Sequence, residues 1–205
     1  MHPAPILRAA LALSFAVLGG ANAQTPEAAS EPRLFEQSYR VGQKVAAFCA
    51  NCHGQGGNSV QPDVPNLAGQ NPAYLLEQVR QFADGRRKNL FMEGLMRALS
   101  NDEKTGVAVY YAAQQVQPQP VRDAALVARG KNYYDKSCFR CHGERGLGGD
   151  RYARVAGQKP EYLALTLKRY RDGSARRADP VMAANTRLMT DADIQAVVAY
   201  VASMN

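Results

Sequence analysis

Cys49-Ala50-Asn51-Cys52-His53 and Cys138-Phe139-Arg140-Cys141-His142 decide how this chain is read. Each is C-x-x-C-H, and together they use all 4 cysteines of the 205 residues. The spacing has a chemical reason. Two thiols separated by two residues, on a turn entering a helix, can add to the two vinyl groups of one porphyrin, and the adjacent histidine then lies under the iron. Glycine-rich polar turns follow both pairs, Gly54-Gln55-Gly56-Gly57 and Gly143 with Gly146, Gly148 and Gly149. They let the chain turn tightly around a flat, bulky group. Cys49, Cys52, Cys138 and Cys141 are therefore expected to bind two haem c (heme c) groups covalently, with His53 and His142 as proximal iron ligands.

Other uses of these cysteines fit less well. A thioredoxin-like pair sits beside a strand–helix–strand pattern, and no strand-like alternation occurs here. A four-cysteine zinc site separates its pairs by about 15–20 residues, far fewer than lie between Cys52 and Cys138. Structural disulfides are ordinary in exported chains but need no histidine after each pair.

Export is expected from the N-terminus. Arg8 supplies a positive region, Ala9–Leu18 an apolar one, and Ala21-Asn22-Ala23 a small-residue cleavage site, so the signal peptide 1–23 is predicted to leave after Ala23. The apolar run is shorter than the roughly 20 residues a membrane span needs. A periplasmic protein follows.

The chain repeats itself with a period of 88 to 90 residues. Gly42 answers Gly130, Leu67-Ala68-Gly69-Gln70 answers Val155-Ala156-Gly157-Gln158, and Tyr110 answers Tyr200. The expected organisation is domain 1 at 24–113, a polar, proline-bearing linker at 114–122, and domain 2 at 123–205. Both units read as helical, making the fold all-α. First helices are predicted near Leu34–Cys49 and Val121–Cys138. Second helices open at Pro72 and Pro160, with proline suited to a first turn and apolar residues at Leu75, Val79, Phe82 and Leu163, Leu167, Tyr170. Last helices open on capping boxes at Ser100–Glu103 and Thr190–Asp193, and Ile194, Val197, Val198 and Val201 share one face.

The sixth iron ligands follow by elimination. His2 is the third and last histidine, and it lies in the signal. Methionine remains, and the repeat selects among the candidates. Met92 lies 8 residues before Ser100, and Met182 lies 8 before Thr190. Met96 and Met189 have no counterpart methionine and are expected to fill the core. Met92 and Met182 are thus the expected distal ligands. A proximal histidine needs its other ring nitrogen bonded, and the carbonyls of Pro65 and its counterpart Ala153 are the expected acceptors.

These motifs closely resemble the diheme cytochrome c4 family of class I cytochromes c, over nearly the whole mature chain. The resemblance implies two tandem class I cytochrome c domains related by a pseudo-twofold axis. It also implies a periplasmic electron carrier that passes electrons between respiratory-chain components to a terminal oxidase or reductase, in some members loosely membrane-associated. Ala153, where the family often has proline, and a stretch from Gly173 to Met182 two residues longer than its partner, are departures that remove no ligand.

The whole chain carries a formal +7, and loses Arg8 with the signal. The remaining charge is uneven. From Gln24 to Pro120 nine Lys/Arg face nine Asp/Glu, whereas from Val121 onward fifteen face nine. The positive residues of domain 2 are spread out, without a stacked-aromatic platform, so nucleic acid is not an expected partner. Redox proteins are, with an acidic acceptor docking on basic domain 2, and the carrier is expected to be a monomer. The same charge is expected to raise the reduction potential of the second haem. A peroxidase would need an open coordination position, which a methionine opposite each iron denies. A diheme subunit of a dehydrogenase complex, such as a flavocytochrome or quinoprotein dehydrogenase, would carry the same local chemistry and is the alternative function.

Overall fold

The computed structural model describes residues 26–117, 119–120, 123–174, 176 and 179–204. The expected signal peptide and the linker positions Pro118, Val121 and Arg122 fall outside them. Among the described residues the chain is helical and forms no strand. Domain 1 runs α1 (Pro26–His53), α2 (Pro72–Ala83), α3 (Leu90–Ala98) and α4 (Asn101–Ala112). Domain 2 runs α5 (Ala124–Ser137), α6 (Phe139–His142), α7 (Pro160–Arg171), α8 (Pro180–Thr186) and α9 (Asp191–Ser203). No described helix is long and apolar enough to cross a membrane.

In each domain the first helix packs across the last, α1 on α4 and α5 on α9. Glycine sets how close they come. A Cβ on Gly42 would lie 1.9 Å from the carbonyl oxygen of Gly106, and one on Gly130 would lie 1.9 Å from that of Ala196. The apolar stripes then close the cores. Leu75 of α2 packs with Ala46, Val107, Ala108 and Tyr111, while Val79 and Phe82 pack with Met96. In domain 2 Ile194, Val197, Val198 and Val201 of α9 gather with Tyr134 and Met189. Full burial of such side chains stabilises by about 1.5–3 kcal/mol each. Met96 and Met189 are both buried core residues, as expected. Both capping boxes form, Ser100 with Glu103 and Thr190 with Asp193.

Four local features differ from or add to the sequence reading. The first C-x-x-C-H does not enter a helix but forms the last turn of α1, because nothing before Gly54, at φ 75°, stops the helix. The second straddles a break at Cys138, between α5 and α6. One extra residue separates Gly130 from Cys138 compared with Gly42 and Cys49. In an unbroken helix it would swing the motif by about 100°, and the break absorbs it. The first helix of domain 2 also begins later than expected, at Ala124, where the Asp123 side chain accepts from the Leu126 N–H at 2.9 Å. Finally, the methionine segments are helical, as α3 and α8, which the apolar pattern did not announce.

Replacing Gly42 by alanine would gain about 1 kcal/mol of helix propensity. A methyl driven against a backbone carbonyl outweighs that, since overpacking costs about 1–3 kcal/mol or more. Gly42→Ala is expected to lower domain 1 stability in urea unfolding, and a stabilised variant would contradict the close crossing.

Candidate functional site

The two C-x-x-C-H ends are held by the same device. The N–H groups of Leu67 and Ala68 donate to the Gly57 carbonyl at 2.7 and 3.1 Å, and those of Val155 and Ala156 to the Gly146 carbonyl at 2.8 and 3.0 Å. The following glycine closes each loop on the last helix, Gly69 N–H to Tyr111 O and Gly157 N–H to Val201 O, at 2.9 and 3.0 Å. The turn after the histidine is thereby tied to the Leu-Ala-Gly-Gln or Val-Ala-Gly-Gln loop.

That loop also fixes the histidines. His53 Nδ1 donates to the Pro65 carbonyl at 2.9 Å and His142 Nδ1 to the Ala153 carbonyl at 2.8 Å, the expected acceptors in both domains. Proline is not required at the second, since any residue supplies the carbonyl. Burial, the largest influence, pushes the His53 imidazole pKa down, which favours the neutral ring. With the proton on Nδ1, the lone pair sits on Nε2, as a metal ligand requires.

The sulfurs match covalent attachment. All four cysteines are free of disulfides. Burial raises the Cys49 thiol and pushes Cys138 up to about 11. Burial at these two positions disfavours a thiolate. No three His, Cys, Asp or Glu side chains converge on a metal position among the described residues. A cleft of ≈ 330 Å³ beside Cys49 is lined by Val45, Phe48, Leu95 and Leu99 with Lys44 and Glu103, and joins α1 to α3, the helix of Met92.

Met92 and Met182 occupy equivalent places. Each is the third residue of its helix, and its N–H is bonded at 3.0 Å by the capping side chain, Asn89 in α3 and Asp179 in α8. Both side chains are half-buried, whereas Met96 and Met189 are buried.

Several contributing residues have roles that only the packed domains reveal, although Gln70 and Gln158 recur in the repeated loops. Arg154 is half-buried, its Nε has no hydrogen-bond partner, and burial pushes its pKa down. A half-buried guanidinium with an unpaired Nε is placed to receive an anion. Arg87 lies over the Phe82 ring at 4.4 Å and reaches Tyr162 of domain 2 at 3.1 Å. Gln70 and Gln158 bind across the domain boundary. Gln158 accepts from the Asn66 N–H at 2.7 Å and donates to the Asn66 carbonyl at 3.0 Å. Gln70 does the same to Arg154, at 2.6 and 2.8 Å. Val116 of the linker places one methyl toward Gly69 and the other toward Gly157. These reciprocal contacts are the pseudo-twofold relation in atomic terms.

A family model for cytochrome c matches residues 39–117 and again 127–205. A cytochrome c4 of Pseudomonas aeruginosa is 32% identical over 80% of this chain and 88% of its own. The chain belongs to the diheme cytochrome c4 family. Crystallographic likeness agrees: reduced recombinant cytochrome c4 from Pseudomonas stutzeri superposes with a TM-score of 0.75 at 29% identity, over 82% of this chain and 98% of that one. A thiosulfate dehydrogenase electron acceptor of Thiomonas intermedia is 35% identical over 81% of this chain and 82% of its own. As a cytochrome c4 family member the protein carries two covalent haem c groups and transfers electrons. Its two domains are both class I cytochrome c folds.

The caps on the methionine helices give a direct test. Asn89→Ala and Asp179→Ala are each expected to cost about 1 kcal/mol, read in the urea unfolding of the domain that carries the change. No loss in either would show that these side chains do not hold α3 and α8.

Proposed function

We propose that this protein is a periplasmic carrier that moves single electrons between respiratory-chain components and donates to a terminal oxidase or reductase. One observation carries the reading: both domains present the same residues on matching elements. Each has a C-x-x-C-H at a helix end, a histidine braced by a carbonyl, and a methionine capped into the first turn of a separate helix. In this reading Cys49, Cys52, Cys138 and Cys141 form the thioethers, His53 and His142 are the proximal ligands, and Met92 and Met182 the distal ones. Bound haem supplies a one-electron iron couple, and methionine with histidine raises its potential.

The protein's own residues do the rest. Two permanent ligands from the chain leave no position for substrate, which suits a carrier rather than an enzyme. The Pro65 and Ala153 carbonyls hold the imidazoles in one orientation, so little needs to move when the iron changes charge. Arg87 and Arg154, both at the domain boundary, would supply positive charge to haem propionates. The basic balance of domain 2 suits an acidic acceptor, docked there by long-range attraction. A monomer, exported with cleavage after Ala23, completes the reading, with domain limits near 113 and 123.

A second reading, delivery of electrons from a dehydrogenase of a sulfur compound, is favoured by the similarity to the Thiomonas intermedia electron acceptor. It uses the same residues and differs only in the donor.

The ligand assignment is tested spectroscopically. The ferric protein is expected to show a weak sulfur-to-iron charge-transfer band that loses one component in Met92→Ala and the other in Met182→Ala, while Met96→Leu and Met189→Leu leave it intact. A band untouched by the first two, or strong carbon monoxide binding by the reduced unsubstituted protein, would contradict it.

A further inference from the structure

Gln70 and Gln158 end the repeated Ala-Gly-Gln loops, and electron carriage as described assigns them no task. Their targets do. The peptide unit joining Pro65 to Asn66 offers its carbonyl to His53 Nδ1 at 2.9 Å and its N–H to Gln158 Oε1 at 2.7 Å. The unit joining Ala153 to Arg154 offers its carbonyl to His142 Nδ1 at 2.8 Å and its N–H to Gln70 Oε1 at 2.6 Å. In each case one flat, conjugated peptide connects a histidine of one domain to a glutamine of the other.

We propose that Gln70 and Gln158 are positioning residues that tune, across the domain boundary, the reduction potential of the opposite domain's haem. The inference rests on the proposed proximal roles of His53 and His142. Donation of a peptide N–H to a glutamine Oε1 enriches the carbonyl oxygen of the same peptide unit, because bonds in a chain polarise one another, more so in a low-dielectric interior. Asn66, Gln70 and Gln158 are all buried. A richer carbonyl draws the Nδ1 proton more strongly and makes the imidazole a more electron-rich ligand. That favours the ferric state and lowers the potential. Each glutamine is itself fixed. Oε1 of Gln158 also accepts from the Lys159 N–H at 2.9 Å, and Oε1 of Gln70 from the Asn71 N–H at 3.1 Å. The Nε2 groups donate to the Asn66 and Arg154 carbonyls. The carboxamide plane is therefore held on three sides and aimed at the peptide.

The consequence is a crossed pattern that a purely structural clasp would not produce. Gln158 sits in domain 2 and acts on the haem of domain 1, while Gln70 sits in domain 1 and acts on the haem of domain 2.

The test uses the full-length diheme protein with 15N-labelled histidine. Nδ1–H resonances of both imidazoles are followed in the ferrous state, and each haem's midpoint is read by redox titration. Gln158→Leu is expected to move the His53 proton upfield and raise the domain 1 midpoint, leaving His142 and domain 2 near their native values. Gln70→Leu is expected to give the mirror result. Gln158→Glu, which keeps an acceptor on the Asn66 N–H, should not move His53 in the leucine direction, and it tests the idea even if Gln158→Leu fails to mature. Asn71→Ala removes the bonds to the Leu147 and Tyr152 carbonyls without touching either relay peptide, and should move neither proton. Shifts in the substituted residue's own domain, equal shifts in both, no shift, or the same shifts from Asn71→Ala would overturn the proposal. Failure of the ligand assignment is separate: neither imidazole of the unsubstituted ferrous protein would then show the ring-current shift of an axial ligand.

Discussion

The contact of Gly42 with Gly106, repeated as Gly130 with Ala196, is the constraint on which the architecture depends. With no side chain between them, the first and last helices of each domain meet backbone to backbone. Gly69 and Gly157 can then hydrogen-bond the last helix. Those glycines belong to the loops that carry the carbonyl acceptors of His53 and His142. A Cβ at the crossing would displace the helix end bearing the two thiols and the loop that braces the histidine. Tight packing, rather than any feature of the motif itself, is what makes its geometry reproducible in two domains of different sequence.

The boundary between the domains is built from the same loops. Gln70, Asn66, Arg154 and Gln158 lie within a few residues of the histidine acceptors, and they exchange hydrogen bonds in reciprocal pairs. Val116 fills the space between the two loops, so the polar linker contributes packing as well as connection. Buried polar groups are costly unless satisfied, and here the Gln70 and Gln158 carboxamides and the Arg154 and Asn66 backbone groups find partners in the other domain. The arrangement joins two cofactor-bearing domains through the segments that brace the two C-x-x-C-H histidines.

Much of this was legible in the residues. C-x-x-C-H carries its chemistry in its spacing, and the repeat locates Met92, Met182, Pro65 and Ala153 by comparison of one unit with the other. Both capping boxes are visible because side chain and backbone partners lie three residues apart. What escaped depends on long-range contacts or on counting within a helix. Gln70 and Gln158 look like ordinary surface amides until the domains meet, and Arg154 reads as one more cation until it is found half-buried. The break at Cys138 follows from one inserted residue, whose effect is a rotation that no local propensity records. Helices α3 and α8 are short and take their start from the caps Asn89 and Asp179, which a hydrophobic period does not detect.

In the proposed function the two haem domains form one electron relay. Pulse radiolysis tests it directly, by delivering much less than one electron per molecule and following both haems as the electron redistributes. Redistribution is expected at a rate independent of protein concentration, as for transfer across the shared boundary within one molecule. A rate that rises in proportion to protein concentration would contradict it, because the two haems would then exchange electrons only when molecules collide.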